Sequence, residues 1–101
     1  MNLADNKEWI LQNLDRKGLR SIELRLSEII DCFLTYDLHF MRTTGVLDEN
    51  DEPGENEYDE DEAFEFIYDA YLSDHPQDDD DDMLIATLLN RYMELQAEYL
   101  S

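Results

Sequence analysis

The chain has 101 residues, of which 43% are hydrophobic, and this predicts one folded domain over residues 1–101. Its single cysteine, Cys32, excludes an intramolecular disulfide, and a formal net charge of −20 argues against direct binding to nucleic acid or to an anionic membrane. The sequence has neither a basic-then-apolar secretory signal nor an apolar run of about 18 residues, so we expect a cytoplasmic protein.

The charge is unevenly distributed along the chain. Residues 1–43 hold six basic and seven acidic side chains, whereas residues 44–101 hold one basic and twenty acidic side chains. A surface made acidic for solubility alone would carry carboxylates in both halves. The asymmetry therefore predicts one acidic face with a binding role.

Two helices are predicted in the nearly neutral half. Asp5 and Glu8 have the spacing of a capping box, which predicts that the first helix begins at Asp5, with Gly18 as its stop. The second helix is predicted over residues 21–42 and is ended by Gly45. A strand over residues 21–27 is the alternative, because polar and apolar residues alternate there. The helical period continues for three more turns and favours the helix, with its apolar face formed by Ile22, Leu26, Ile29, Phe33, Tyr36 and Phe40.

An acidic loop is predicted over about residues 43–62, with its densest part at residues 48–62. Pro53 and Gly54 supply a turn there, and we expect no apolar face. The carboxylates of residues 59–62 are expected to lie at the positive N-terminus of a third helix.

The remaining sequence predicts two more amphipathic helices. The third has one apolar face, formed by Ala63, Phe64, Ile67, Tyr68 and Tyr71, and it is broken at Asp74-His75-Pro76. The fourth follows a run of five aspartates at residues 78–82, and its apolar face consists of Ile85, Leu88, Tyr92, Leu95 and Tyr99. Four helices without a convincing strand predict an all-α fold, either a small four-helix bundle or an irregular helical domain.

Catalytic and metal-binding patterns are largely absent from the sequence. There is no glycine-rich phosphate loop and no nucleophile elbow, and His39 and His75 are the only histidines. The segment from Asp48 to Gly54 invites comparison with a calcium-binding EF-hand loop, but in either register Pro53 occupies a position that requires glycine or a ligand. We therefore expect neither an enzyme nor a cofactor or metal site.

The acidic clusters and the tyrosines near them are the candidate binding residues. Clustered like charges destabilise a folded protein, and tyrosine is enriched at protein interfaces, so the combination favours a basic protein partner. A solvated loop is the alternative for the aspartate run taken alone. The candidate residues are Glu57, Tyr58, Asp59, Glu60, Asp61, Glu62, Tyr68, Tyr71, Asp78, Asp79, Asp80, Asp81 and Asp82.

Three functional hypotheses fit this pattern. The first is a bacterial immunity protein that neutralises a basic nuclease toxin by occupying its nucleic-acid-binding cleft. The second is a nucleic-acid mimic of the anti-restriction or anti-CRISPR type, which should carry carboxylates along its whole length. The third is a structural or regulatory adaptor whose acidic residues only keep it soluble. The nearly neutral first 43 residues favour the first hypothesis.

Overall fold

A computed structural model describes residues 3–50, 52–76 and 81–100. Four α-helices occupy most of these residues: α1 (Leu3–Asn13), α2 (Leu26–Thr44), α3 (Glu60–Asp74) and α4 (Asp82–Leu100). A 3-10 helix (Arg20–Arg25) precedes α2. The described part of the chain contains no strand, and its one isolated β-bridge pairs Leu47 with Pro53. The predicted all-α fold is therefore confirmed.

The four α-helices pack around one apolar core. The main contacts join α2 to α1 and α3, and join α4 to the same two helices, so α1 and α3 lie at opposite corners. At the centre, the ring of Phe33 on α2 lies 5.6 Å from the rings of Tyr71 on α3 and Tyr92 on α4. Within the described ranges, no helix combines the length and the apolar character needed to cross a membrane.

The first helix differs from its prediction at both ends. It begins at Leu3, so Asp5 lies inside the helix instead of capping it. It ends at Asn13, five residues before Gly18, and side chains bond to two carbonyl groups of its last turns. The Asn13 amide donates to the Trp9 carbonyl at 2.8 Å, and the Arg16 guanidinium donates to the Leu11 carbonyl at 3.1 Å. Gly18 lies in the turn that follows, where its φ of 81° places it in the left-handed region that favours glycine.

The second predicted helix is present but is divided in two. Its first turns form the 3-10 helix and the remainder forms α2, with Ile22 and Leu26 buried on either side of the junction. The alternative strand over residues 21–27 is wrong. Gly45 follows Thr44 with a φ of 80°, a left-handed conformation that suits glycine at a helix C-terminus, and so ends α2 as predicted.

The acidic loop is shorter and better packed than the sequence predicted. It runs over residues 45–59, because α3 already begins at Glu60. Tyr58 packs against the core, contrary to the expectation of no apolar face over residues 48–62, and Val46 and Leu47, which precede that segment, pack there as well. A side chain on Gly54 would collide with the Gly45 carbonyl oxygen, so the turn requires glycine at this position. The third helix ends at Asp74 as predicted.

Candidate partner-binding site

A groove lies between α3 and α4. It has a volume of about 550 Å³ and is lined by Glu60, Asp61, Phe64, Glu65, Asn90, Met93 and Glu94. A second hollow, of about 490 Å³, adjoins the groove at the N-terminus of α3 and is lined by Glu57, Tyr58, Asp59, Glu60 and Asp61. Because Glu60 and Asp61 line both hollows, the two form one continuous surface, which we call the acidic groove.

The lining of the acidic groove is strongly negative. Six of its residues carry carboxylates: Glu57, Asp59, Glu60, Asp61, Glu65 and Glu94. No basic side chain is among the lining residues in the described part of the chain. Like charges gathered on one surface create a potential that attracts a cationic partner.

The local sequence explains how α3 contributes to this surface. Asp59 caps the helix, since its carboxylate accepts hydrogen bonds from the amides of Asp61 at 3.0 Å and Glu62 at 3.2 Å. This cap fixes the first turn, and residues four apart on a helix share a face, so Asp61 and Glu65 line the same wall. The opposite wall follows the same rule on α4, where Asn90 and Glu94 are four residues apart.

An aromatic pair borders the carboxylates. The rings of Phe64 and Tyr68, one turn apart on α3, stack with their centres 5.9 Å apart and their planes at 17°. Phe64 lines the groove, whereas Tyr68 is half-buried one turn further along and is not among the lining residues. An aromatic ring beside carboxylates suits a guanidinium or ammonium group, because its π face is also negative.

The single basic side chain of the acidic half is held away from the groove. Although Arg91 follows the groove-lining Asn90 directly, its guanidinium donates to the backbone carbonyls of Asp15 at 2.8 Å and Lys17 at 2.6 Å. These bonds tie α4 to the turn that follows α1. Arg91 therefore stabilises the bundle and leaves the carboxylates of the groove without a basic neighbour from this position.

Apart from Tyr68, which is half-buried and does not line the groove, the residues predicted for partner binding fall into four groups. Five of them, residues 57–61, line the acidic groove, and Glu62 is exposed beside it. Asp78, Asp79 and Asp80 lie outside the described residues. Asp81 and Asp82 are half-buried at the start of α4 and do not line the groove.

The fourth group is Tyr71, whose prediction as a partner-facing anchor must be corrected. Its side chain is only 1% exposed. The ring packs edge-on against Phe33 and stacks on the His75 ring at 4.3 Å, while the Arg25 guanidinium donates to its hydroxyl at 3.4 Å. These contacts make Tyr71 a core residue, so it offers no surface to a partner.

Several groove residues were missed by the sequence analysis. Phe64 was assigned to an apolar face, and Glu65 and Glu94 were not singled out although both carboxylates line the groove. The spacing from Asp61 to Glu65 gave a local signal for one wall. No local pattern indicated that Glu94 would face it, because that depends on how α4 packs against α3.

A buried carboxylate lies behind the groove and was also missed. Asp37 on α2 is 0% exposed and accepts hydrogen bonds from the hydroxyls of Tyr92 at 2.6 Å and Tyr58 at 2.7 Å. Burial raises the pKa of Asp37, and the two tyrosine hydrogen bonds partly oppose that rise. Burial and the nearby Asp37 carboxylate raise the pKa of both tyrosines, so they remain neutral donors.

A cysteine and a histidine meet elsewhere, between α2 and the end of α3. The His75 Nδ1 atom lies 2.9 Å from the Tyr71 carbonyl oxygen, and the Nε2 atom of the same ring lies 4.0 Å from the Cys32 sulfur. Burial, followed by the charges of Asp31 and Asp74, raises the pKa of the Cys32 thiol. This environment disfavours the thiolate that nucleophilic catalysis requires.

Within the described ranges, no group of three or more His, Cys, Asp or Glu side chains is arranged to hold a metal ion. No protein-family model, curated protein or solved structure matches the chain.

Proposed function

We propose that this chain is an acidic inhibitory binding protein, most specifically an immunity-type protein that neutralises a basic nuclease toxin in the cytoplasm of the bacterium that makes it. The observation that supports this proposal is the acidic groove, which presents six carboxylates and the Phe64 ring without a basic lining residue. The groove would receive lysine and arginine side chains from the toxin.

The chemistry of a nuclease explains why such a surface inhibits. A nuclease binds the phosphates of its substrate largely with lysine and arginine side chains, and a set of carboxylates can occupy those side chains instead. Opposite charges also accelerate the encounter of the two proteins, by factors on the order of 10 to 1,000. Fast capture suits an inhibitor that protects the cell producing the toxin.

Phe64 and Tyr58 are the aromatic anchors of this proposal, in place of the buried Tyr71. Both residues line the acidic groove next to carboxylates. A cation placed on an aromatic face gains about 0.5 to 2 kcal/mol, and interface aromatics are frequent hot spots. An arginine from the partner would therefore contact a ring and a carboxylate together.

The decisive experiment neutralises the groove without weakening its helices. Glu65 and Glu94 are suitable because they lie on opposite walls, are exposed and stand beyond the first turn of their helices. In the double variant Glu65→Gln/Glu94→Gln, we expect the association rate constant with the proposed partner, a basic nuclease domain, to fall by about threefold or more at low salt. Stopped-flow fluorescence measures this rate, and a nuclease assay measures the loss of inhibition.

The matched control is Glu8→Gln/Glu23→Gln, which removes two exposed carboxylates from α1 and the 3-10 helix. Association at the parental rate is expected for this control. The proposal is wrong if both double variants slow association equally, or if neither does. Inhibition of many unrelated DNA-binding enzymes, reversed by added duplex DNA, would instead favour the nucleic-acid mimic.

A further inference from the structure

Tyr58 connects the second part of the acidic loop, residues 57–59, to the bundle. Tyr58 lies immediately before the helix cap Asp59, and its hydroxyl donates to the buried Asp37 carboxylate at 2.7 Å. Its ring packs edge-on against Phe40 at 6.2 Å. The hydroxyl also lies 3.8 Å from the sulfur of Met93, which lines the acidic groove.

The first part of the loop is held differently, by hydrogen bonds near the end of α2. The Asn56 amide nitrogen donates to the Gly45 carbonyl at 3.2 Å, and its side chain donates to the Thr44 carbonyl at 2.7 Å. The Gly54 amide donates to the Val46 carbonyl at 2.8 Å. These bonds hold the described residues between Gly45 and Asn56 but do not extend to the groove-lining residues 57–59.

The buried carboxylate is costly for the fold. Removing a carboxylate from water disfavours its charged form, and an apolar side chain at position 37 would avoid that cost. Two tyrosine donors offset part of it, one from α4 and one from the loop. Buried polar contacts of this kind give directional geometry that apolar packing does not supply.

We propose that Tyr58 is a positioning residue, whose bond to Asp37 fixes residues 57–61 at the mouth of the acidic groove. Tyr92 donates to the same carboxylate but lies in the middle of α4, so it stabilises the bundle without positioning the loop. The ordering of the loop follows from these contacts alone. Only its consequence for binding rests on the proposed function.

The two tyrosines provide a matched pair of variants, because Tyr58→Phe and Tyr92→Phe each remove one donor from Asp37 and keep the ring. Amide hydrogen exchange at Asp61 and Glu62, whose amides are held by the Asp59 cap, reports on the start of α3. At these amides we expect exchange to accelerate about tenfold in Tyr58→Phe, as the loss of one hydrogen bond would produce, and much less in Tyr92→Phe. Equal acceleration in the two variants would overturn the proposal.

A triple variant keeps the test independent of overall stability. The variant Asp37→Leu/Tyr58→Phe/Tyr92→Phe removes the Asp37 carboxylate together with the two hydroxyls that donate to it. We expect its melting temperature to be nearly that of the parent. Exchange at Asp61 and Glu62 should nevertheless remain accelerated, because the loop has lost its anchor. Parental exchange rates in the triple variant would show that apolar packing positions the loop and would overturn the proposal.

The consequence for binding is measured with a deca-arginine peptide as the probe. We expect Tyr58→Phe to weaken its binding by about threefold or more, with Tyr92→Phe close to the parent. Accelerated exchange with unchanged peptide binding would contradict a positioning role. If the parent inhibits no nuclease while exchange and peptide binding respond as expected, the proposed function fails and the positioning role of Tyr58 stands.

Discussion

Two hollows at opposite corners of the bundle differ sharply in charge. The hollow on α1 has a volume of about 350 Å³ and is lined by Ala4, Lys7, Glu8, Leu11, Gln12 and Arg16. It therefore holds two basic side chains and one acidic side chain, whereas the acidic groove holds six carboxylates. The basic residues also bond within the protein, since Lys7 pairs with Asp31 at 2.8 Å and Arg16 donates to a backbone carbonyl. The charge asymmetry of the sequence thus becomes an asymmetry in space.

The buried polar contacts of the two corners differ as well. Between α1 and α4, the side chains of Asn6 and Gln96 donate to each other at 2.8 Å and 3.0 Å, and both are 0% exposed. This amide pair is neutral at every physiological pH. Behind the acidic groove, the buried polar group is the titratable Asp37. The α1 corner is therefore fixed by a contact that pH does not affect, and the α3 corner by one that it does.

The largest predicted effect results from breaking the hydrogen bonds between Asn6 and Gln96. Gln96→Leu removes both hydrogen bonds and leaves the Asn6 amide buried without its partner, which we expect to lower the free energy of unfolding by about 2 to 3 kcal/mol. Urea unfolding followed by circular dichroism measures this loss. The loss should be the same at mildly acidic and neutral pH.

The double variant Asn6→Leu/Gln96→Leu is the control for this prediction. With both amides replaced by apolar groups of similar size, we expect most of the stability to return, because no unsatisfied polar group remains. A double variant less stable than Gln96→Leu would mean that the pair contributes by its shape and not by mutual hydrogen bonding.

A smaller effect, which depends on pH, is predicted for Asp37→Asn. Burial raises the pKa of Asp37 above its ordinary value of 3.8, so the folded state binds this proton more tightly than the unfolded state. The contribution of protonated Asp37 to the stability of the fold is therefore fully present below pH 3.8. It is lost as the pH rises through the pKa of Asp37 in the folded state. Asparagine cannot ionise and keeps an oxygen that accepts from one tyrosine.

The test measures the free energy of unfolding of the parent and of Asp37→Asn at a series of pH values from acidic to neutral. As the pH rises toward neutral, the parent should lose stability relative to the variant. Glu23→Gln, which removes one exposed charge from the 3-10 helix, controls for the change in net charge. Parallel curves for the parent and Asp37→Asn would disprove a pH-dependent contact at this position.

The sequence predicted those parts of the fold that depend on neighbouring residues. The apolar period of α2 and α4 extends over several turns, and the breaks at Gly45 and at His75-Pro76 are local, so these elements were found. Two buried side chains had a local signal in their helical spacing. It placed Tyr71 on the apolar face of the third helix, although Tyr71 was also predicted to bind a partner, and it was not applied to Asp37. Tyr71 lies four residues after Ile67, and Asp37 lies four after Phe33, so both belong to core faces.

The acidic groove was predicted only in part, for a physical reason. Residues 57–61 come from one continuous acidic segment, which composition alone reveals. The opposite wall, with Asn90 and Glu94, belongs to a helix distant in sequence, and only the packing of α3 against α4 brings it there. Spacing along one helix carries no information about the face that a second helix presents to it.

The smallest predicted effect is a rise of about 2 to 4 °C in melting temperature between 0.01 M and 0.15 M salt. The molecule measures 39 × 27 × 19 Å, and charges interact over roughly 30 Å at the lower salt concentration but only about 8 Å at the higher one. The higher salt concentration therefore screens the repulsion between distant carboxylates, and mainly the repulsion between adjacent carboxylates remains. Salt also weakens the attraction between Lys7 and Asp31, but this is one attractive pair against the many repulsive pairs of a chain with a net charge of −20. Calorimetry should give a smaller rise for Glu65→Gln/Glu94→Gln than for Glu8→Gln/Glu23→Gln, and equal rises would mean that the repulsion is not concentrated at the acidic groove.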